Sequence, residues 1–151
     1  MKSKALIFII ATIVIVAFNS NIIAQKADNP QSPDTLSISG DEKLVVMWTS
    51  GDREVALKMV FMYTFNAKRL EWWDDITLVV WGPSARLLTE DKELQEYLAK
   101  IMDGGTKVIA CKGCSDQYGV SEKLEDLGID VKYIGRLLTD FIKEGRHILT
   151  F

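Results

Sequence analysis

Ile76-Thr77-Leu78-Val79-Val80-Trp81-Gly82-Pro83-Ser84 is six apolar or β-branched residues running into a Gly-Pro-Ser turn. A run of this kind, without the in-out alternation of a half-exposed strand, is the pattern of a strand covered on both faces. Upstream, Leu44-Val45-Val46-Met47-Trp48 has the same character and stops at Thr49-Ser50-Gly51-Asp52. The stretch between them, residues 52–69, is long enough only for a helix. Its apolar residues Val55, Met59, Val60, Met62, Tyr63 and Phe65 cover more than one narrow stripe, so the helix is expected to be central or contacted on two sides. Strand, helix and strand in this order form a βαβ unit with a parallel pair.

The pattern continues downstream. Leu94, Tyr97, Leu98, Ile101 and Met102 fall at i, i+3, i+4, i+7 and i+8, the spacing of an amphipathic helix, which Asp103-Gly104-Gly105 terminates. Residues 106–111 read as a third strand. Residues 112–127 are helical in places, with Val120, Leu124 and Leu127 on one face, a break expected at Gly119 and a stop at Gly128. A more polar strand over 129–134, a short helix over 135–144 with Leu137, Leu138, Phe141 and Ile142 inward, and a last strand over 147–151 complete the chain. Five strands and four helices in strict alternation predict a three-layer α/β/α sandwich with a mainly parallel five-stranded sheet.

The chain has 151 residues, 48% of them hydrophobic and 26% charged, which suits one globular domain with a buried core. Its start reads differently. Met1-Lys2-Ser3-Lys4 is basic, Ala5 to Phe18 is nearly all apolar, and Ile22-Ile23-Ala24 ends on a small residue, the layout of a cleaved signal peptide over 1–24 with its cleavage site near Ala24. The apolar run is shorter than the roughly 20 residues that span a membrane. Residues 25–40, with Asn29-Pro30 and Ser32-Pro33-Asp34, read as a flexible linker, and 41–151 as the folded domain. A periplasmic or secreted protein is expected, with no membrane association after signal cleavage. Residues 1–24 hold Lys2 and Lys4 and no acid, so 16 basic side chains then face 21 acidic ones, a net charge of −5. That balance, with the lysines of the C-terminal half interspersed among acids, argues against nucleic acid as a partner.

In open α/β sheets ligands bind at the carboxyl ends of the strands. Four segments are therefore candidates: Thr49-Ser50-Gly51-Asp52, Trp81-Gly82-Pro83-Ser84, Cys111 to Asp116, and Gly135-Arg136. The third holds both cysteines of the chain, Cys111-Lys112-Gly113-Cys114. A thiol at a strand-to-helix junction meets free backbone N–H groups, and Lys112 brings a positive charge, so Cys111 is placed as a nucleophile. Cys114, one turn along, is placed to attack a sulfur bound to Cys111 and resolve it. Ser50, Asp52, Lys112, Ser84 and Arg136 are the candidate binding residues, with Asp52 equally an N-cap and Arg136 equally a solvated turn residue. A structural disulfide stays open, although a two-residue loop adds little by chain entropy. Zinc needs two further ligands and the chain has one histidine, His147, so no metal and no cofactor are expected. A thioredoxin-like reading fails on order, because the pair follows the third strand and no proline follows Pro83.

Read together, Val108-Ile109-Ala110-Cys111-Lys112-Gly113-Cys114, Tyr118-Gly119-Val120, Leu127-Gly128-Ile129, Gly135 and Gly145-Arg146-His147-Ile148-Leu149-Thr150-Phe151 resemble the DsrE/DsrF-like family over roughly residues 43–151. The resemblance implies a small α/β domain with a cysteine after an inner strand. In the sulfur-relay members that cysteine carries persulfide sulfur, and the matching position is Cys111. Cys114 is an addition to the single-cysteine pattern. The family also implies a trimer or hexamer, for which the apolar surplus of the first helix and Trp72-Trp73 would supply an interface, and a sulfur donor or acceptor protein. The resulting expectation is an exported DsrE-like protein that binds or transfers sulfane sulfur through Cys111, with Cys114 resolving. A non-enzymatic oligomeric binding module with a Cys111–Cys114 disulfide, and a thiol-disulfide oxidoreductase, are the alternatives.

Overall fold

The computed structural model describes residues 42–151, so the expected signal peptide and linker lie outside the described residues. Five strands, β1 Lys43–Trp48, β2 Asp75–Val80, β3 Lys107–Cys111, β4 Asp130–Lys132 and β5 His147–Thr150, form one sheet in the order β4-β3-β2-β1-β5. Every neighbouring pair is parallel, with Val45 beside Thr77 and Val79 beside Ile109. The expected α/β sandwich on a parallel five-stranded sheet is the fold.

The strand order dictates the layers. The chain steps from β1 to β4 in one direction, then returns across the sheet to place β5 on the far side of β1. With right-handed crossovers, the first three connections lie on one face and the last on the other. The first face carries α1 Arg53–Val55, a π-helical turn Ala56–Phe61, α2 Met62–Arg69, α3 Pro83–Glu90, α4 Lys92–Asp103, α5 Lys112–Tyr118 and α6 Ser121–Asp126. The second carries, among the described residues, only α7 Ile134–Lys143. Strand residues sort between them by parity: Leu44, Val46, Trp48, Ile76, Leu78, Val80, Val108 and Ala110 pack under the larger layer, while Val45, Met47, Val79, Ile109 and Cys111 pack under α7.

The helices are more divided than the four expected. Pro83 sits in the first turn of α3, and Asp91, in extended conformation, closes that helix and caps α4 by accepting from the Leu94 N–H at 3.1 Å. Gly119, at φ +66, ends α5 as the sequence suggested. Strand β4 is shorter than expected because Tyr133 already serves as the N-cap of α7. In the long run over 53–69, the π-helical turn buries Val60 and Phe61 and leaves Met59 and Met62 47% and 50% exposed. Phe61 meets the Trp48 ring edge-on at 5.0 Å and the Tyr97 ring at 5.5 Å, tying β1, this run and α4 together.

On the second face, Ile134 and Phe141 are buried, with Leu137 and Leu138 packed beside them. The Arg146 guanidinium lies 4.2 Å over the Phe141 ring and bonds Asp75 at 2.9 Å, fastening the end of α7 to the edge of β2. Since α7 is the only helix over this face among the described residues, a cavity under it has no second layer to collapse. Phe141→Ala is therefore expected to lose about 3–5 kcal/mol in urea denaturation; a loss below about 1 kcal/mol would show that α7 does not hold this face.

Candidate functional site

Strand β3 ends on Cys111, whose backbone is extended (φ −72, ψ 108) and which stands at the N-cap of α5. Its side chain has the parity of Ile109 and enters the layer under α7, where Cys111 is 8% exposed. Cys114, one turn into α5, is half-buried. The helical spacing brings its sulfur back over that of Cys111, and the Cys114 S–H donates to Cys111 Sγ at 3.1 Å. Both thiols are free. The separation exceeds the roughly 2.05 Å of a disulfide.

The corner between β2 and α3 supplies the other wall. Trp81 follows the last paired residue of β2 with the parity of Val79, so it faces the same layer as Cys111 and packs with Cys114, Leu137 and Leu138. Gly82 turns the chain at φ +75 and ψ −134, a conformation side chains rarely allow. Its backbone N–H and the Trp81 side chain both donate toward Cys114 and favour its anion. Burial, first, and the bond to Cys111, second, outweigh them and push the Cys114 thiol up from its ordinary range. Across the loop, the Tyr133 ring lies against Gly113, where a Cβ would stand 3.8 Å from it, and is itself 71% exposed. Thr49, Trp81, Gly82 and Pro83 line an apolar groove of about 260 Å³ at this end of the sheet. A larger cavity of about 430 Å³, lined by Glu42, Lys43, Glu144, Gly145, Arg146 and His147, lies at the opposite, amino-terminal ends of β1 and β5, far from either thiol.

The candidate binding residues divide. Lys112 bonds Asp116 at 3.1 Å, which raises the lysine, while Ser121 first and Lys112 second lower Asp116; the positive charge is turned along α5 toward a carboxylate. Ser84 is fully buried: its hydroxyl donates to the Trp48 carbonyl at 2.6 Å and accepts from the Trp81 N–H at 3.0 Å, clamping the ends of β1 and β2. Ser50 Oγ accepts from the Asp52 N–H at 3.0 Å, and Asp52 Oδ1 accepts from the N–H groups of Glu54 and Val55, the N-cap arrangement. Arg136 is exposed and paired with Asp140 at 2.8 Å. The structure thus joins Cys111 and Cys114, with Lys112 alongside; Ser50, Asp52 and Ser84 use their polar atoms within the chain.

The sequence marked the segment Trp81-Gly82-Pro83-Ser84 but singled out Ser84 in it, not Trp81 or Gly82, and it gave no sign of Tyr133. For Trp81 a signal existed: with β2 and β3 in parallel register, position 81 falls beside 111 on one face. His147 lies against Trp73 with ring centroids 5.0 Å apart and the planes tilted by 55°, and among the described residues no group of three or more His, Cys, Asp and Glu side chains converges as a metal site.

Only the thiolate is alkylated at an appreciable rate, so the raised Cys114 thiol has a measurable consequence. In Cys111→Ser protein, where burial still acts, the pH midpoint of Cys114 alkylation by iodoacetamide should lie above that of the urea-unfolded chain. Equal midpoints would mean that burial does not govern this thiol.

The DsrE/DsrF-like family model matches residues 35–151. Among solved structures, the conserved protein of unknown function BT1422 from Bacteroides thetaiotaomicron is 33% identical, with a TM-score of 0.71 over 73% of this chain and 95% of that one. The ychN protein of E. coli shares the fold at 16% identity, with a TM-score of 0.57 over 74% of this chain and 99% of that one. No curated protein matches the chain.

Proposed function

Because the chain belongs to the DsrE/DsrF-like family, we propose that it binds and transfers sulfane sulfur through Cys111, with Cys114 as the resolving thiol. The observation that carries this reading is the pair of free thiols 3.1 Å apart at the carboxyl end of an inner parallel strand. Cys111 is the acceptor in that contact and Cys114 keeps its proton. The thiolate of Cys111 attacks the outer sulfur of a hydropersulfide R–S–SH, and the donor S–S bond breaks. The leaving R–S⁻ takes the Cys114 proton, so Cys111 now bears –S–SH and Cys114 is a thiolate. From here the outer sulfur passes to an acceptor thiol. Alternatively, Cys114 attacks Cys111 Sγ and expels HS⁻, the dithiol losing the two electrons that the sulfane sulfur gains, and an external dithiol then reduces the bridge.

The signal-like residues 1–24 support export, which would set this chemistry in an oxidising compartment where reduction of the pair is the step to be supplied. Exposed Met59, Met62, Leu70 and Trp72 support assembly of several copies through the first helical layer. Met59→Asp with Met62→Asp is expected to convert the assembly to monomers by light scattering with an unchanged circular dichroism spectrum; a wild type that is already monomeric would end that part of the reading.

The sulfur chemistry is tested by intact mass after incubation with a hydropersulfide donor. Cys114→Ser should accumulate one added sulfur, Cys111→Ser should accumulate none, and the wild type should release sulfide as its two thiols become a disulfide. An adduct that survives Cys111→Ser, or none on Cys114→Ser, overturns the assignment.

A further inference from the structure

The groove lined by Thr49, Trp81, Gly82 and Pro83 borders the thiols, since Trp81 and Gly82 are also the residues that face Cys114. A donor whose sulfur reaches the pair has to lodge its remaining part somewhere at these strand ends, and this groove is a concavity beside them. Its lining holds no ionisable side chain. The cations around it are engaged elsewhere: Lys112 with Asp116, Arg136 with Asp140, and Arg53 with Asp91 and Glu93. Arg86, on α3, lies over the Tyr118 ring at 5.6 Å. An anionic donor would therefore lose hydration in the groove, whose lining offers no positive charge to replace it. An apolar group gains from the same burial.

We propose that this groove is the donor subsite of the dithiol, and that it selects hydropersulfides of uncharged, apolar thiols over thiosulfate and over the persulfides of charged small thiols. The proposal rests on the sulfur reading above and deepens it by naming the substrate class. The transfer is the one already written: R–S–SH gives its outer sulfur to Cys111, and R leaves the groove as R–SH.

The experiment measures single-sulfur loading of Cys114→Ser protein by benzyl hydropersulfide, glutathione hydropersulfide and thiosulfate. Each rate is divided by that of the same donor on the urea-unfolded chain, which removes intrinsic reactivity. The folded protein should favour the benzyl donor by roughly tenfold or more. Two charge variants then probe the groove itself at Pro83, which is exposed in the first turn of α3, where an acid suits the helix. Pro83→Glu should slow the benzyl donor and depress the two anionic ones further, while Pro83→Lys should raise the anionic donors. A misfolded variant would slow all three alike, so opposite responses to opposite charges identify the groove. Equal normalised rates for the three donors, indifferent to the charge at 83, overturn the subsite while leaving the sulfur chemistry of Cys111 in place. No loading by any donor overturns both.

Discussion

The parallel register of β1, β2 and β3 is the constraint on which the site depends. Val46, Leu78 and Val108 stand side by side, so the three strands reach their carboxyl ends together and their connections leave from one line. Ser84 reinforces this alignment from inside the turn, holding the Trp48 carbonyl and the Trp81 N–H with one buried hydroxyl. Parity does the rest. Residues 79 and 81 of one strand and 109 and 111 of the next point the same way, so a cysteine at the end of β3 meets a tryptophan at the end of β2 without any loop having to be shaped for the purpose. A shift of one residue in that register would send Cys111 to the opposite face, among Trp48 and Val80.

Much of this was legible in the sequence because the signals are local. The runs 44–48, 76–81 and 106–111 could only be buried strands, and Asp103-Gly104-Gly105 could only end a helix. The position of the cysteines after the third strand placed them at the carboxyl end of the sheet. What escaped is governed by contacts distant in sequence. Ser84 looked available because the turn carries no mark of the Trp48 carbonyl that takes its hydroxyl, 36 residues away. Lys112 looked like a partner for the thiols, and its i,i+4 relation to Asp116 was the readable sign that it would turn away. The division of the helical segment 83–103 hung on Asp91, a single capping residue within a pattern whose apolar spacing continues past it.

The two faces of the sheet do different work because the strand order is asymmetric. Three connections load one face with most of the helical mass, and the aromatic chain from Trp48 through Phe61 to Tyr97 and Phe65 knits that side together. The other face has ten residues of helix for its cover. Ile134 and Leu137 of that helix pack in the cluster that holds Cys111, so one short element both closes the second core and helps bury that thiol.

That double duty explains the electrostatic balance at the pair. A thiol placed in this apolar layer is harder to ionise, and Cys114 is accordingly raised by burial even though the Gly82 N–H and the Trp81 side chain donate to its sulfur. In the proposed sulfur transfer the opposition has a chemical use. A resolving thiol that ionised freely would close on Cys111 and compete with every acceptor for the sulfur it carries. One held protonated by burial, yet with two donors waiting for its anion, ionises when a leaving thiolate arrives to take the proton. The apolar cover that α7 provides would therefore govern when Cys114 reacts, and in the proposed donor subsite the same apolar character disfavours charged donors.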